Sequence, residues 1–192
     1  MKIILGSSSE IRKKILASLG YKFEVIKPEI NEKEIRFKNP EKLVLEIAKA
    51  KAEAIKNKIS GPAIIITSDQ VVLFNNQIRE KPQSIAEARE MIKTAHLYPN
   101  KTITSVVVTD TQNNIQISEV DIASARCERI PEEIIEAYLA IGEPLYMAGG
   151  FDIEHPLLTP YIKIIFGEQE SILGLPKTLT QKLLKETLKR AK

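Results

Sequence analysis

A single cysteine, Cys127, and two histidines are all that the 192-residue sequence offers in the way of soft metal ligands or thiol chemistry. One thiol excludes an internal disulfide, and one Cys with two His falls short of a four-ligand zinc site, so a reducing compartment fits best. Charge of one sign is also missing. Twenty-eight Lys and Arg against 25 Asp and Glu leave a net +3 spread along the chain, which argues against a footprint for duplex nucleic acid and still allows a local anion pocket. The opening Met1-Lys2-Ile3-Ile4-Leu5-Gly6 is far shorter than a secretory signal core, and no stretch approaches the roughly 20 apolar residues that cross a bilayer. The expectation is a cytoplasmic protein with no membrane partner. Familiar chemical signatures are absent too: there is no G-x-x-x-x-G-K-S/T loop, no G-x-G-x-x-G, no H-E-x-x-H and no G-x-S-x-G. What the chain does have is a 43% hydrophobic composition, enough for one sizeable core or two small lobes, which rules out disorder, a collagen repeat and a disulfide scaffold.

Ile3-Ile4-Leu5, closed by Gly6 and three serines, predicts a buried strand delivering a small-residue loop to a helix over Glu10 to Leu19, with Ile11, Ile15 and Leu19 on one face and Gly20 as the stop. Phe23 to Ile26 reads as a second strand. Asn39-Pro40-Glu41 is a helix start, because Asn caps, Pro tolerates the first helical position and an acid suits the positive end of the dipole. The helix is expected to run to Lys58 with Leu43, Ile47, Ala50 and Ala54 as its buried stripe. Ala63 to Ile66 is a continuous apolar run typical of strands covered on both faces; Ser68-Asp69-Gln70 follows it, then a second run, Val71 to Phe74, and a turn at Asn75-Asn76. Ser84-Ile85-Ala86-Glu87 matches a capping box and opens a helix to Ala95. Thr102 to Thr109 and Ile115 to Ala125 flank a polar turn, predicting a long antiparallel hairpin. A helix from Pro131 to Gly142, a strand from Tyr161 to Phe166 and a basic helix from Thr180 to Ala191 complete the pattern. The fold class is therefore α/β, an elongated mixed and twisted sheet with helices on both sides, in one domain over residues 1–192 that leaves open two lobes around a central cleft.

Gly6-Ser7-Ser8-Ser9 between a strand and a helix suits an anion, since small residues let backbone N–H groups face it and hydroxyls add donors. Arg12, one turn on, reaches the same region, although a plain serine N-cap gives the same pattern. Asp69 directly follows an apolar run, which puts a carboxylate at a strand end where open α/β sheets bind ligands; a turn-forming Asp is the alternative. Glu32 lies in a mixed-charge stretch that reads equally as a solvated loop, and Lys51 and Lys81 read equally as surface lysines. Gly149-Gly150 reads either as a ligand loop or as a turn needing positive φ. His96 and His155 have no nucleophile motif beside them, and nothing around Cys127 supports a reactive thiol.

These residues fall in a particular order, and in that order the sequence resembles the Maf family of nucleotide pyrophosphatases. That family opens with a strand and an S-x-S-P-R-R-like loop, matched by Ser7, Ser9 and Arg12, with Glu10 and Ile11 replacing Pro and the first Arg. Its Asp-Glu pair is similar to Asn31-Glu32, its helix lysine to Lys51, its strand-end Asp to Asp69 and its Lys-Pro to Lys81-Pro82. Gly142-Glu143-Pro144, Ala148-Gly149-Gly150 and Gly174-Leu175-Pro176 follow in family order. Two stretches depart from the pattern: Tyr146-Met147 replaces Asp-Lys, and Phe151 to Pro156 differs from the common Tyr-Gly-Ile-Gln-Gly. Many members carry Thr after the Asp and are associated with dTTP and UTP, whereas Gln70 is similar to the branch associated with 7-methyl-GTP.

The resemblance implies a fold shared with the inosine-triphosphatase type and an acid-anhydride hydrolase that splits a nucleoside triphosphate between its α and β phosphates, using Mg²⁺ or Mn²⁺. It implies a site in which Ser7, Ser9, Arg12 and Lys51 bind substrate and Gln70 contributes to base choice. Asp69, Glu32 and Lys81 are then catalytic, with Glu32 and Asp69 as metal ligands and Asp69 as the group that orients or deprotonates water. A homodimer is implied as well. Two other readings compete: purine specificity of the inosine-triphosphatase kind, and a nucleotide- or nucleic-acid-binding regulator without catalysis, suggested by the basic end Lys185 to Lys192.

Overall fold

The apolar run that opens at Ala63 continues further than its composition suggests. A computed structural model describing residues 1–190 shows one 12-residue strand over Ala63–Phe74, with Thr67, Ser68 and Asp69 buried inside it. The expected break at Ser68-Asp69-Gln70 is therefore corrected, and Asp69 lies within the strand rather than at its end. Thr67 and Ser68 hand their hydroxyls to backbone carbonyls, and Ser105 on the neighbouring strand hydrogen-bonds the Asp69 backbone. With those polar groups satisfied, extended backbone persists through a polar stretch.

In chain order the elements are β1 (Lys2–Leu5), α1 (Glu10–Ser18), β2 (Glu24–Val25), a 3₁₀ turn (Glu32–Glu34), α2 (Pro40–Lys56), β3 (Ala63–Phe74), β4 (Gln77–Arg79) and α3 (Ile85–Thr94). There follow β5 (Asn100–Asp110), β6 (Ile115–Cys127), α4 (Glu132–Leu139), β7 (Ile162–Phe166), α5 (Gln169–Ile172) and α6 (Lys177–Arg190), with short 3₁₀ turns between α4 and β7. The strands are hydrogen-bonded in the order β2-β1-β3-β5-β6-β7, and β4 pairs with β3. β1 runs parallel to β2 and β3, while β4 and β7 pair antiparallel with β3 and β6. The mixed sheet expected from the hairpin is thus the one observed. Asp110 closes that hairpin by accepting the Gln112 N–H at 2.9 Å and the Asn114 backbone takes φ 53°. β4 was not expected; its signal is Asn75-Asn76, both at positive φ, the requirement of a tight two-residue hairpin.

Contacts divide the chain into two compact units. The first holds Met1–Gln70, Thr104–Asp121 and the chain from Leu173 onward; the second holds Val71–Ile103 and Ile122–Ile172. In the first unit, successive residues of β3 serve opposite faces, as the pleat requires. Ile64 and Ile66 join Leu5, Val106 and Val108 under α1 and α6, whereas Ala63 and Ile65 join Ile4 and Val107 under α2. The second unit has its own core of Ala88, Ile92, Ile135, Tyr138 and Leu158.

The buried stripe of α2 differs from expectation. Val44, Ala48, Ala52 and Ile55 join Leu43 and Ile47, and Ala50 and Ala54 are only half-buried. The bulkier Val44 and Ile55 set the rotation, because burying a branched side chain is worth far more than burying a methyl. The cap is as expected, with Asn39 Oδ1 accepting the Lys42 N–H at 2.9 Å. At α3, Ser84 Oγ accepts the Glu87 N–H, but Glu87 takes the Gln83 N–H rather than that of Ser84, so the box closes one residue early. The last two positions of the basic C-terminal segment lie outside the described residues. Among the described residues no helix is long and apolar enough to cross a membrane.

Candidate active site

Two hydroxyls fasten α2 to the sheet. Thr67 Oγ1 donates to the Ala48 carbonyl and Ser105 Oγ to the Val44 carbonyl, both at 2.7 Å. Those carbonyls are one helical turn apart, so the next inward position along the helix is Lys51. Asp69 belongs to the same strand face as Ile65 and Thr67, and it meets Lys51 there: Nζ donates to Asp69 Oδ1 at 2.6 Å. Glu32 Oε1, from the 3₁₀ turn, lies 3.0 Å from the same ammonium. The surface setting open to Lys51 is thereby corrected, because its side chain is 8% exposed and that of Asp69 is 11%, whereas Glu32 is 53% exposed. Burial pushes the Asp69 carboxyl above the ordinary carboxylate range; Lys51 and Arg12 pull it back, and Glu32 adds to the rise.

Arg12 completes the charge cluster. Its Nη1 donates to the Ser68 carbonyl at 2.7 Å, and burial lowers its pKa while Asp69 and Glu32 hold it up. The other face of β3 carries Gln70, whose Nε2 donates to Thr104 Oγ1 at 2.8 Å. Ser7 is buried, and its Oγ accepts the Ser9 N–H at 3.2 Å. Ser9 Oγ accepts the Arg12 N–H at 3.3 Å, so this serine caps α1 as the plainer of its two readings has it. Gly6 is fixed by packing: a Cβ there would lie 2.5 Å from Ile55 Cδ1 and 2.6 Å from Thr67 Cγ2.

Ser7, Ser9, Arg12, Glu32, Lys51, Asp69 and Gln70 all belong to the first unit, and Glu32, Lys51, Asp69 and Arg12 form one electrostatic cluster. Lys81 belongs to the second unit, exposed on the turn between β4 and α3. There the Gly149 N–H donates to the Glu80 carbonyl at 3.0 Å, and Gly149 and Gly150 have φ 69° and 75°, so the glycine pair serves backbone geometry. His96 Nδ1 sits 3.0 Å from the Lys93 carbonyl, and His155 packs on Tyr138. The departing stretch from Asp152 is held by its own side chain, which accepts the Glu154 N–H. Thr67, Ser68, Thr104 and Ser105 were not singled out from the sequence; their signal is a set of hydroxyls inside two otherwise apolar strands.

Burial and neighbouring Glu128 push the Cys127 thiol up to about 12. A thiol reagent at pH 8 is expected to modify the native protein more than about a hundredfold more slowly than the urea-unfolded chain, following the thiolate fractions. Rapid labelling of native protein would show that this strand opens in solution.

A protein-family model described as Maf-like protein matches residues 2–187. The chain belongs to the Maf-like family. It is 38% identical over 191 residues to a protein named 7-methyl-GTP pyrophosphatase from Dictyostelium discoideum, covering 96% of each chain. It is 33% identical to a dTTP/UTP pyrophosphatase from Alkaliphilus metalliredigens, covering 91% of this chain and 90% of that one. A dTTP/UTP pyrophosphatase from Clostridium beijerinckii is 34% identical, covering 97% and 99%. A solved nucleoside-triphosphatase, a dITP/XTP pyrophosphatase from Mycobacterium abscessus, aligns with 13% identity over 68% of this chain and 75% of that one at a TM-score of 0.38, a likeness too slight to carry an argument.

Proposed function

We propose that this chain is a nucleoside triphosphate pyrophosphatase, releasing pyrophosphate and the nucleoside monophosphate. The observation that carries the reading is the buried Lys51, held at 2.6 Å from Asp69 and 3.0 Å from Glu32 with Arg12 beside them. Lys51 and Arg12 balance Asp69 and Glu32, so the cluster has no net formal charge to set against a triphosphate's roughly four negative charges at neutral pH. A further cation answers that deficit. Among the described residues no group of three His, Cys, Asp or Glu gathers to hold a metal, yet two hard carboxylates suit Mg²⁺ or Mn²⁺, which take one or two of them and complete their shell with waters and substrate phosphates. Glu32 and Asp69 would hold the ion, and bound there it would polarise phosphoryl oxygens.

The protein's own groups divide the remaining work. Arg12 and Lys51 bind phosphate oxygens as charge-assisted donors. Asp69 accepts the proton of the attacking water as oxygen adds to the α-phosphorus and the α–β bridging bond breaks, and pyrophosphate carries away that electron pair. Ser7 and Ser9 preorganise the loop that leads to Arg12. A catalytic role for Lys81 and a homodimer are retained on the sequence resemblance alone, and a cytoplasmic location on the composition.

The deciding assay is pyrophosphate release with Mg²⁺ or Mn²⁺ from 7-methyl-GTP, dTTP, UTP, CTP, ITP and XTP. Release of pyrophosphate rather than orthophosphate supports the proposal, and salt-sensitive nucleic-acid binding with no turnover would replace it by the regulator reading. The relative named 7-methyl-GTP pyrophosphatase and the Gln70 amide together favour a modified purine. Gln70→Thr is expected to move the ratio of 7-methyl-GTP to UTP turnover about tenfold toward UTP, since a lost base contact is costly to the substrate that uses it. An unchanged ranking would remove Gln70 from base recognition.

A further inference from the structure

Gly174, just ahead of α6, has φ +100°, and a Cβ at this residue would lie 3.2 Å from Arg12 Nε, 3.3 Å from Arg12 Nη2 and 3.5 Å from Gln70 Oε1. A guanidinium and an amide thus approach one point, and the absent side chain is what lets the guanidinium come so near. The glycine is itself pinned. Its carbonyl accepts the Ser68 hydroxyl at 2.9 Å, while the Ser68 carbonyl accepts Arg12 Nη1 at 2.7 Å. The far end of the Gln70 amide is tied to Thr104, and Leu175, next in the chain, is fully buried. Ser68 therefore holds both the arginine and the glycine, and Gln70 enters from the same strand two residues later.

We propose that Gly174 is a positioning residue for nucleobase selection, its bare Cα setting the separation between Arg12, which holds the phosphates, and Gln70, which meets the base. The inference rests on the pyrophosphatase reading and adds to it which residue tunes the discrimination. The Gln70 amide discriminates between base edges only when its place relative to the phosphate anchor is held to a fraction of an ångström. A methyl at 3.2 Å from the guanidinium makes Arg12 give by a few tenths of an ångström relative to Gln70, which at 3.5 Å stays in ordinary contact.

The test measures kcat and KM for 7-methyl-GTP and UTP in the wild type, Gly174→Ala and Gly20→Ala. Gly20 also has positive φ, +81°, with nothing within 4 Å of a Cβ, so its alanine variant carries the backbone strain without the contact. Gly174→Ala is expected to change the ratio of kcat/KM for the two nucleotides about tenfold, mainly through KM. Gly20→Ala is expected to lower stability and leave that ratio unchanged. A Gly174→Ala ratio equal to that of the wild type overturns the inference, as does an equal shift in both variants. If Gly174→Ala does not fold, Ser68→Ala, which releases the glycine carbonyl, takes its place, and an unaltered ratio there overturns the inference equally. A wild type that releases pyrophosphate from no nucleotide overturns the pyrophosphatase reading and this inference with it, whereas a ranked wild type with unaltered variants overturns this inference alone.

Discussion

Asp69→Asn is expected to slow pyrophosphate release by about a thousandfold, the middle of the range for a lost general base, while nucleotide affinity measured by calorimetry without divalent cation stays within about threefold. The amide keeps the shape of the carboxyl and the backbone bond to Ser105, so β3 has no reason to move. What disappears is the negative charge beside Lys51 and Arg12. Affinity for a polyanion should not suffer from that loss, because one fewer carboxylate faces the phosphates; turnover should, because nothing then accepts the proton of water. Burial holds the Asp69 pKa above that of an ordinary carboxylate, which gives the wild type an acid limb in its rate profile. Below that pKa the group is protonated, and the rate falls as pH drops through it. The residual rate of Asp69→Asn should lack this limb. A variant that keeps near-normal turnover with its acid limb intact would show Asp69 to be structural.

Much of this site can be read in the sequence because its residues sit at positions whose local structure is strongly signalled. Asn39-Pro40-Glu41 fixes where α2 begins, and Ile3 to Leu5 with Ala63 to Ile66 fix two neighbouring strands, so Lys51 and Asp69 fall on definite elements. Their meeting is another matter. It depends on Thr67 and Ser105 hydrogen-bonding the carbonyls of Ala48 and Val44, and side chain to backbone bonds between distant segments leave no periodic trace. The same reason hid the burial of Lys51: a lysine among Ala, Glu and Lys reads as solvated until a carboxylate is known to wait beneath it. The strand break expected at Ser68-Asp69-Gln70 failed because composition prices polar residues as loop, and here each hydroxyl has a carbonyl partner. Ala50 and Ala54 were misplaced because alanine is a weak guide to the rotation of a helix that also carries valine and isoleucine. Gly174 was legible only as part of a recurring Gly-Leu-Pro; its positive φ and its neighbours Arg12 and Gln70 are tertiary facts.

Lys51→Met is expected to abolish detectable turnover and to lower stability by about 3 kcal/mol at neutral pH, the cost of removing one partner from a buried pair. Methionine fills much of the same volume, so the loss is electrostatic rather than a cavity. Glu32, at 53% exposed, relaxes into water and adds little; Asp69 cannot. Without Lys51 the strongest influence opposing the burial of Asp69 is gone, and its carboxyl rises further above its value in the unfolded chain. Between those two values the folded protein holds a proton that the unfolded chain has released, so stability falls as pH rises through that window. The deficit of Lys51→Met should therefore be smallest in acid and largest at neutral pH and above, a trend that urea melts at pH 4.5 and pH 8 would measure. The double variant Lys51→Met/Asp69→Asn removes both charges and should regain most of the lost stability while remaining inactive, since replacing a whole buried pair is far cheaper than halving it. A Lys51→Met protein as stable as the wild type at pH 8 would mean that water reaches Asp69 in solution and that the ion pair is not what holds α2 over β3.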